Sequence, residues 1–200
     1  LGVVVLSSIA STFFHKNIIY YFKYVYGDTD AATIALTLSA GVTAASVPAW
    51  TWVARTYGKR LAWASGMAIV GVGLIAWWFA NGQGLTALLG AIAIIAAGMS
   101  ANYICFWAVL PDTVEYGEWK TGVRTESLIF GLVVLGQKAA LGAAAGALGV
   151  ALNLVGYQAN ETMTPATVDG LRTMMLAIPL GGVILSLILI YFYRLSYAAH

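Results

Sequence analysis

Apolar residues run along this chain in long blocks of about 20 or more, broken by short polar segments. A block of that length is what a helix needs to cross about 30 Å of hydrocarbon, at about 1.5 Å of rise per residue. The blocks fall at about 1–26, 31–54, 61–80, 85–110, 127–152 and 171–193, and they predict six membrane-spanning helices. Strands of a membrane barrel would instead show alternating segments of about 10 residues, a pattern missing from this sequence.

Polar and aromatic residues mark where the blocks end. Tyr20-Tyr21-Phe22-Lys23-Tyr24-Val25-Tyr26 and Trp77-Trp78-Phe79 read as headgroup-level belts, with Lys23 close enough to an end to reach water. Gly27-Asp28-Thr29-Asp30 reads as a short turn with an Asp N-cap for the next helix. Asn81-Gly82-Gln83-Gly84 reads as a tight turn, and a longer polar loop covers about 153–169. Pro48 and Pro179 interrupt their blocks, which is tolerated where neighbouring helices cover the freed carbonyl.

Charge then orients the spans. One set of alternate loops carries Arg55, Lys59, Arg60, Lys120, Arg124 and Arg194. The other carries Lys23 and Arg172 with Asp28, Asp30, Glu161 and Asp169. The positive-inside rule makes the first set cytoplasmic and places both ends of the chain there. The sequon Asn160-Glu161-Thr162 falls on the outer side, where a pattern this short is expected by chance. The chain begins at Leu1, without Met, inside an apolar block, and ends at Tyr197-Ala198-Ala199-His200 just past another, so it reads as a fragment.

Composition agrees with the pattern and excludes several classes. The chain is 60% hydrophobic and 9% charged with mean hydropathy +0.83, against about a quarter charged in soluble domains. One cysteine, Cys105, lies inside a block, so neither a disulfide framework nor a metal cluster is expected. A net charge of +2, dispersed, gives no reason to expect nucleic acid. No HExxH, GxSxG or phosphate-loop motif occurs, and the chain is not read as an enzyme; no catalytic and no metal residues are assigned.

The densest charge is Asp112, Glu115, Glu118, Lys120, Arg124 and Glu126, between the fourth and fifth blocks. Such a stretch cannot lie in lipid and is expected to be a cytoplasmic loop. Asp112, Glu115, Lys120 and Arg124 are candidate gate residues at the cytoplasmic surface, where a solvated loop is the plain alternative. Arg124 could hold a carboxylate bidentately. Lys138 lies 14 residues past Arg124, so roughly 20 Å along a helix. A charge at that depth costs several kcal/mol unless paired or hydrated, and is functional by default. Lys16 is a second charge at mid-depth, beside His15 and the polar stripe Ser8, Ser11 and Thr12. Tyr103 and Trp107 stand i, i+4 with Ser100 one turn before, an arrangement that can stack on a sugar ring and bond its rim. Ordinary interface packing also explains Trp107, which is nearer the loop. Gly142 and Gly146 follow Lys138 at i+4 and i+8 and read as a small-residue packing face.

The run Asp112-x-x-Glu115-Tyr116-Gly117-Glu118-Trp119-Lys120-x-Gly122-x-Arg124-x-Glu126, followed by Gln137-Lys138, resembles the glycoside–pentoside–hexuronide:cation symporters, the melibiose-permease-like branch of the major facilitator superfamily. Tyr20–Val25 with Gly27-Asp28 is similar to the end of that family's seventh helix, and Gly58-Lys59-Arg60 to the basic loop after its eighth. The resemblance implies an all-α membrane protein, the C-terminal six-helix half of a twelve-helix fold, in a cell inner membrane. It implies symport of a sugar or glycoside with Na⁺ or H⁺, no bound cofactor, and a missing N-terminal half as partner within the lipid bilayer. In that half the family carries carboxylates beside which Lys138 would tune cation binding. Tyr103, Trp107 and Lys16 are then the substrate-binding candidates. Some relatives move amphipathic substrates, so a lysolipid carrier is the alternative. Val134 is apolar where some relatives have a hydroxyl, so a given relative's sugar contacts do not transfer.

Overall fold

The computed structural model describes residues 2–158 and 163–192. Leu1, the sequon at 160–162, Arg194 and the chain end at 197–200 lie outside the described residues. Every described element is a helix: α1 (Gly2–Tyr21), which runs into a π-helical turn (Phe22–Tyr26), then α2 (Thr29–Tyr57), α3 (Lys59–Ala80), α4 (Leu85–Thr121), α5 (Glu126–Leu154) and α6 (Pro165–Phe192). Five of them, α2 to α6, are long and apolar enough to cross a membrane. The sixth, α1, carries Ser8, Ser11, Thr12, His15, Lys16 and Asn17 within 20 residues.

The helix ends follow local chemistry. Asp28 is the N-cap of α2, its carboxylate accepting from the backbone N–H groups of Asp30 at 2.8 Å and Ala31 at 3.2 Å. Gly27, at φ 84°, turns the chain out of the π-helical turn, where a side chain would be strained.

The expected loop at 111–126 is instead mostly helix. α4 continues through Pro111 to Thr121, and only residues 122–125 form the turn before α5. Charge keeps a segment out of lipid but does not prevent it from being helical. Asp112, Glu115 and Glu118 recur at helical spacing, and the Thr121 hydroxyl donates to the Gly117 carbonyl at 2.7 Å. α4 thus has 37 residues, a length of about 55 Å, and projects well beyond a hydrocarbon core.

The tightest seam joins α3 to α4, antiparallel. A Cβ on Gly98 would stand 2.6 Å from the Gly66 carbonyl oxygen and 2.8 Å from the Val70 backbone nitrogen. Those obstacles are backbone, so only glycine permits the approach. α2 is tied to α4 by the Trp50 indole N–H donating to the Ala97 carbonyl at 2.7 Å and the Ser100 hydroxyl donating to the Thr43 carbonyl at 3.1 Å. Trp77 of α3 is fully buried against Phe14, Tyr21 and Phe22. A smaller apolar cluster of Phe13, Leu148, Leu152, Leu171 and Met174 holds α1, α5 and α6 together.

α5 is the least covered helix, with 11% of its most apolar window buried, and it barely touches α4. Gly142 and Gly146 meet open space, so no described element packs on the small-residue face expected there.

Replacing Gly98 by alanine is expected to destabilise the bundle by about 1–3 kcal/mol through overpacking. Gly90→Ala, on the same helix with nothing within 4 Å of the added carbon, should be neutral or slightly stabilising. Thermal melting of both variants in detergent checks the contrast.

Candidate functional site

Between α1, α4 and α5 lies a cavity of about 180 Å³. Ser8, Ser11 and Thr12 line it from α1, Asn102, Tyr103 and Phe106 from α4, and Gln137 and Leu141 from α5. The spacing within each helix, i to i+3 or i+4, puts each set on one face. The volume is below the ~300–1,000 Å³ typical of pockets that enclose a ligand, so the cavity is one wall of a site. Its polar groups are three hydroxyls, two amides and a phenol, with no charge among them. Phe106 and Leu141 supply apolar surface. This combination suits a ligand with hydroxyl rims and apolar faces.

Neighbouring residues position the lining. The Trp63 indole N–H of α3 donates to Asn102 at 2.7 Å. An indole N–H can only donate, so the amide oxygen faces Trp63. The Asn102 Nδ2 is left without a partner among the described residues, as a donor for a ligand. On α1, His15 Nδ1 stands 2.9 Å from the Ser11 carbonyl, which can only accept, so the proton sits on Nδ1. Nε2 of the neutral ring then accepts from the hydroxyl of Ser39, 4% exposed, at 3.5 Å. Ser11 itself donates weakly to Met99 Sδ at 3.8 Å.

The sequence-derived candidates divide around this cavity. Tyr103 lines it and is 62% exposed. Trp107, one turn on, is exposed and lies outside the lining. Lys16 is exposed one turn beyond Thr12, and Lys138 is exposed next to Gln137. Neither lysine forms an ion pair among the described residues. Asn102 and its partner Trp63 were not singled out from sequence; a lone amide inside an apolar block was the available signal.

Of the gate candidates, Asp112 is paired at the end where α2 passes into α3. Lys59 Nζ donates to both Asp112 carboxylate oxygens, at 2.8 and 2.6 Å, and to the Ala108 carbonyl at 2.9 Å. The Cys105 thiol donates to the Lys59 carbonyl at 3.4 Å. Pro111 lies inside α4 and has no N–H, so the carbonyl it leaves without a helix partner is that of Trp107, and the Lys59 bond to the Ala108 carbonyl is an addition to the helix ladder. In the sequence Lys59 reads as part of a basic loop; the structure makes it the partner of Asp112.

Arg124 takes partners along its own chain. Its Nη2 and Nε donate to Glu126 at 2.8 and 3.1 Å, and its Nη1 to Glu118 at 3.2 Å. Hydrogen bonding and charge from Glu126 push the exposed guanidinium's pKa up further. Glu115 and Lys120 are exposed, with no side-chain partner among the described residues. Nearby, Arg60 donates to the Tyr191 carbonyl at 2.8 Å and fastens α3 to the end of α6. At the opposite end, the Tyr157 hydroxyl bonds that of Tyr24 at 3.0 Å beside the Tyr20 ring. Burial and that hydrogen bond raise the Tyr157 pKa.

Apolar helices of spanning length around a neutral polar cavity define a multi-pass membrane protein. The family model described as MFS/sugar transport protein matches residues 1–197. The chain belongs to that family, and its resemblance to the glycoside–pentoside–hexuronide branch is borne out. It is 31% identical over 179 residues to a glucuronide carrier protein homolog of Escherichia coli K12, covering 89% of this chain and 39% of that protein. It is 30% identical over 181 residues to the isoprimeverose transporter of Lactiplantibacillus pentosus, covering 89% of this chain and 37% of that protein. A putative sulfoquinovose importer of Escherichia coli K12 is 28% identical over 179 residues, 89% of this chain and 38% of that protein. The chain thus spans about two fifths of the length of these relatives. All are transporters, as is the family, which bears out the reading that the chain is not an enzyme.

Lys59 and Asp112 are 31% and 34% exposed, so each would be left partly buried and unpaired if the other were neutralised. Lys59→Met and Asp112→Asn should each destabilise, and the double variant should recover part of the loss. A double-mutant cycle by denaturant unfolding is expected to give a coupling of about 0.5–3 kcal/mol.

Proposed function

We propose that this chain is the C-terminal six-helix half of a twelve-helix symporter that carries a sugar or glycoside together with a cation, Na⁺ or H⁺, by alternating access. The observation that carries the reading is the uncharged cavity of hydroxyls, amides and aromatic rings between α1, α4 and α5. Substrate sites of such folds lie near the midplane between repeats, and this cavity is a wall that a second half would complete. The relatives' names, a glucuronide carrier homolog, an isoprimeverose transporter and a sulfoquinovose importer, support sugars as the substrate class. An amphipathic lysolipid would call for an apolar cavity opening sideways to the bilayer, and the polar lining favours sugar.

In this reading Tyr103 stacks on the sugar, and Asn102, Gln137 and the α1 hydroxyls bond its rim. Lys16 and Trp107 contribute from the margins. Lys138 tunes coupling by competing with the cation for carboxylates of the N-terminal half. Asp112, held by Lys59, and Glu115, Lys120 and Arg124 form the cytoplasmic gate. The Arg55–Arg60 end faces the cytoplasm, with both chain ends on that side of the inner membrane. Cation and sugar then stabilise the same occluded state, a reciprocal linkage of typically about 1–3 kcal/mol.

Uptake by the full-length transporter in vesicles should rise with an inward Na⁺ or proton gradient, and Lys138→Met should remove most of that response. Sugar uptake indifferent to both gradients would sink the coupled mechanism. Trp63→Phe keeps an aromatic ring in the core, with some loss of volume, but removes the indole N–H and frees Asn102. It should weaken sugar binding by about 1 kcal/mol, roughly fivefold, the worth of one hydrogen bond; isothermal titration measures it.

A further inference from the structure

Away from the cavity, Asn17 of α1 and Trp77 of α3 are both fully buried. Oδ1 and Nδ2 of Asn17 and Nε1 of Trp77 have no hydrogen-bond partner among the described residues. Buried polar groups without a partner are rare and costly, most of all where lipid keeps bulk water away. The Trp77 ring packs on Phe14 and Tyr21, at centroid distances of 6.3 and 4.6 Å, three residues before Asn17 and four after it.

α6 brings a further unpaired group to the same level. Pro179, buried inside α6, has no N–H, so the Met175 carbonyl lacks its helix donor. Gly182 of α6 meets Ala10 of α1, where an added Cβ would stand 2.7 Å from the Ala10 Cβ. Phe13 clusters with Met174 and Leu171, so the two helices run antiparallel. Asn17 lies seven residues past Ala10, and Met175 seven before Gly182. Seven residues make nearly two full turns, so Asn17 and Met175 face each other across the seam. Gly71 of α3 meets Val183, an added Cβ standing 3.7 Å from its Cγ1, and Arg60 bonds to the Tyr191 carbonyl. That antiparallel register brings Trp77 level with Ala177, about 3 Å of rise from Met175.

Three helices thus converge on two kinds of donor and two acceptors. Asn17 Nδ2 and the Trp77 indole can only donate; Asn17 Oδ1 and the Met175 carbonyl can only accept. A cation would face the N–H groups, and an anion the two oxygens. Water gives and takes hydrogen bonds equally and matches both. We infer that Asn17, Trp77 and Met175 hold a buried water between α1, α3 and α6, which completes the hydrogen bonding of α6 at its proline. This site does not depend on what the transporter carries.

X-ray radiolysis of the full-length transporter, equilibrated in water enriched in heavy oxygen, tests the inference. Radicals formed from a bound water label the side chains that touch it, however deep they lie. Trp77 should carry the heavy-oxygen label in the wild type. Asn17→Leu, close in volume, should lose that label. It should also lower the melting temperature, because it expels the water and leaves the Trp77 N–H and the Met175 carbonyl bare. A wild type unlabelled at Trp77 overturns the inference, and that measurement needs no variant. So does an Asn17→Leu variant that keeps the label, or one that melts above the wild type, as removal of a dry unpaired amide would. A wild-type label that disappears in Na⁺ but not in choline would give the site to the cation and overturns the inference as well.

Discussion

The close approach of α3 to α4 is the constraint on which the rest of the bundle depends. Gly66 and Gly98 let the two backbones touch, and Gly73 repeats the approach against Ile95 further along. Everything that positions chemistry on α4 is hung on that seam. Trp63 reaches Asn102, and one turn earlier Lys59 reaches Cys105, Ala108 and Asp112. These pairs step along the two helices in opposite directions and so report a single antiparallel register. A side chain at Gly98 would push α3 outward and lengthen all of these bonds together. Small residues therefore act here as the condition for long-range polar order. Lipid offers no hydrophobic force between apolar helices, so packing and such bonds must supply the association.

Electrostatics divides the bundle by depth. Lys59 and Asp112 are 31% and 34% exposed, so each partner is desolvated only in part and the pair can hold together at modest cost. The same residues one or two turns deeper would lose their water without gaining more partners. Lys59 uses its donors on Asp112 and on the Ala108 carbonyl. The interior follows the opposite rule, with neutral donors and acceptors around the cavity and charge only at its margins.

The membrane segments and the family were legible in the sequence, because long apolar blocks and an unusual charged motif are local signals. The helix-capping role of Asp28 was legible for the same reason. The end of α4 was not: the charge at 112–126 marks where lipid stops, and helix and loop share that composition. Ten further residues of α4 stay helical, with Gly122 at φ 72° ending them. The site was half legible. Polar residues on α1 and Tyr103 on α4 announced themselves as misfits in apolar blocks. Asn102 was equally misfitting but gains its meaning from Trp63, which is 39 residues away. The Lys59–Asp112 pair spans 53 residues and likewise required the fold.

The position of the cavity follows from uneven packing. α2, α3 and α4 are locked by glycine contacts and by indole and hydroxyl bonds to carbonyls. α1, α5 and α6 share their own apolar cluster, with Gly182 of α6 set against Ala10 of α1. The cavity lies where these groups meet through α1 and α4, which touch little, and through α4 and α5, which barely touch. Few contacts cross there, chiefly the weak Ser11–Met99 bond. In the proposed transport cycle, the bundle would yield where side chains interlock least. Hydroxyls and amides are the right lining for such a place, because water can satisfy them when the ligand leaves. A charged lining would hold its counter-ion too firmly to release, and an apolar one would close.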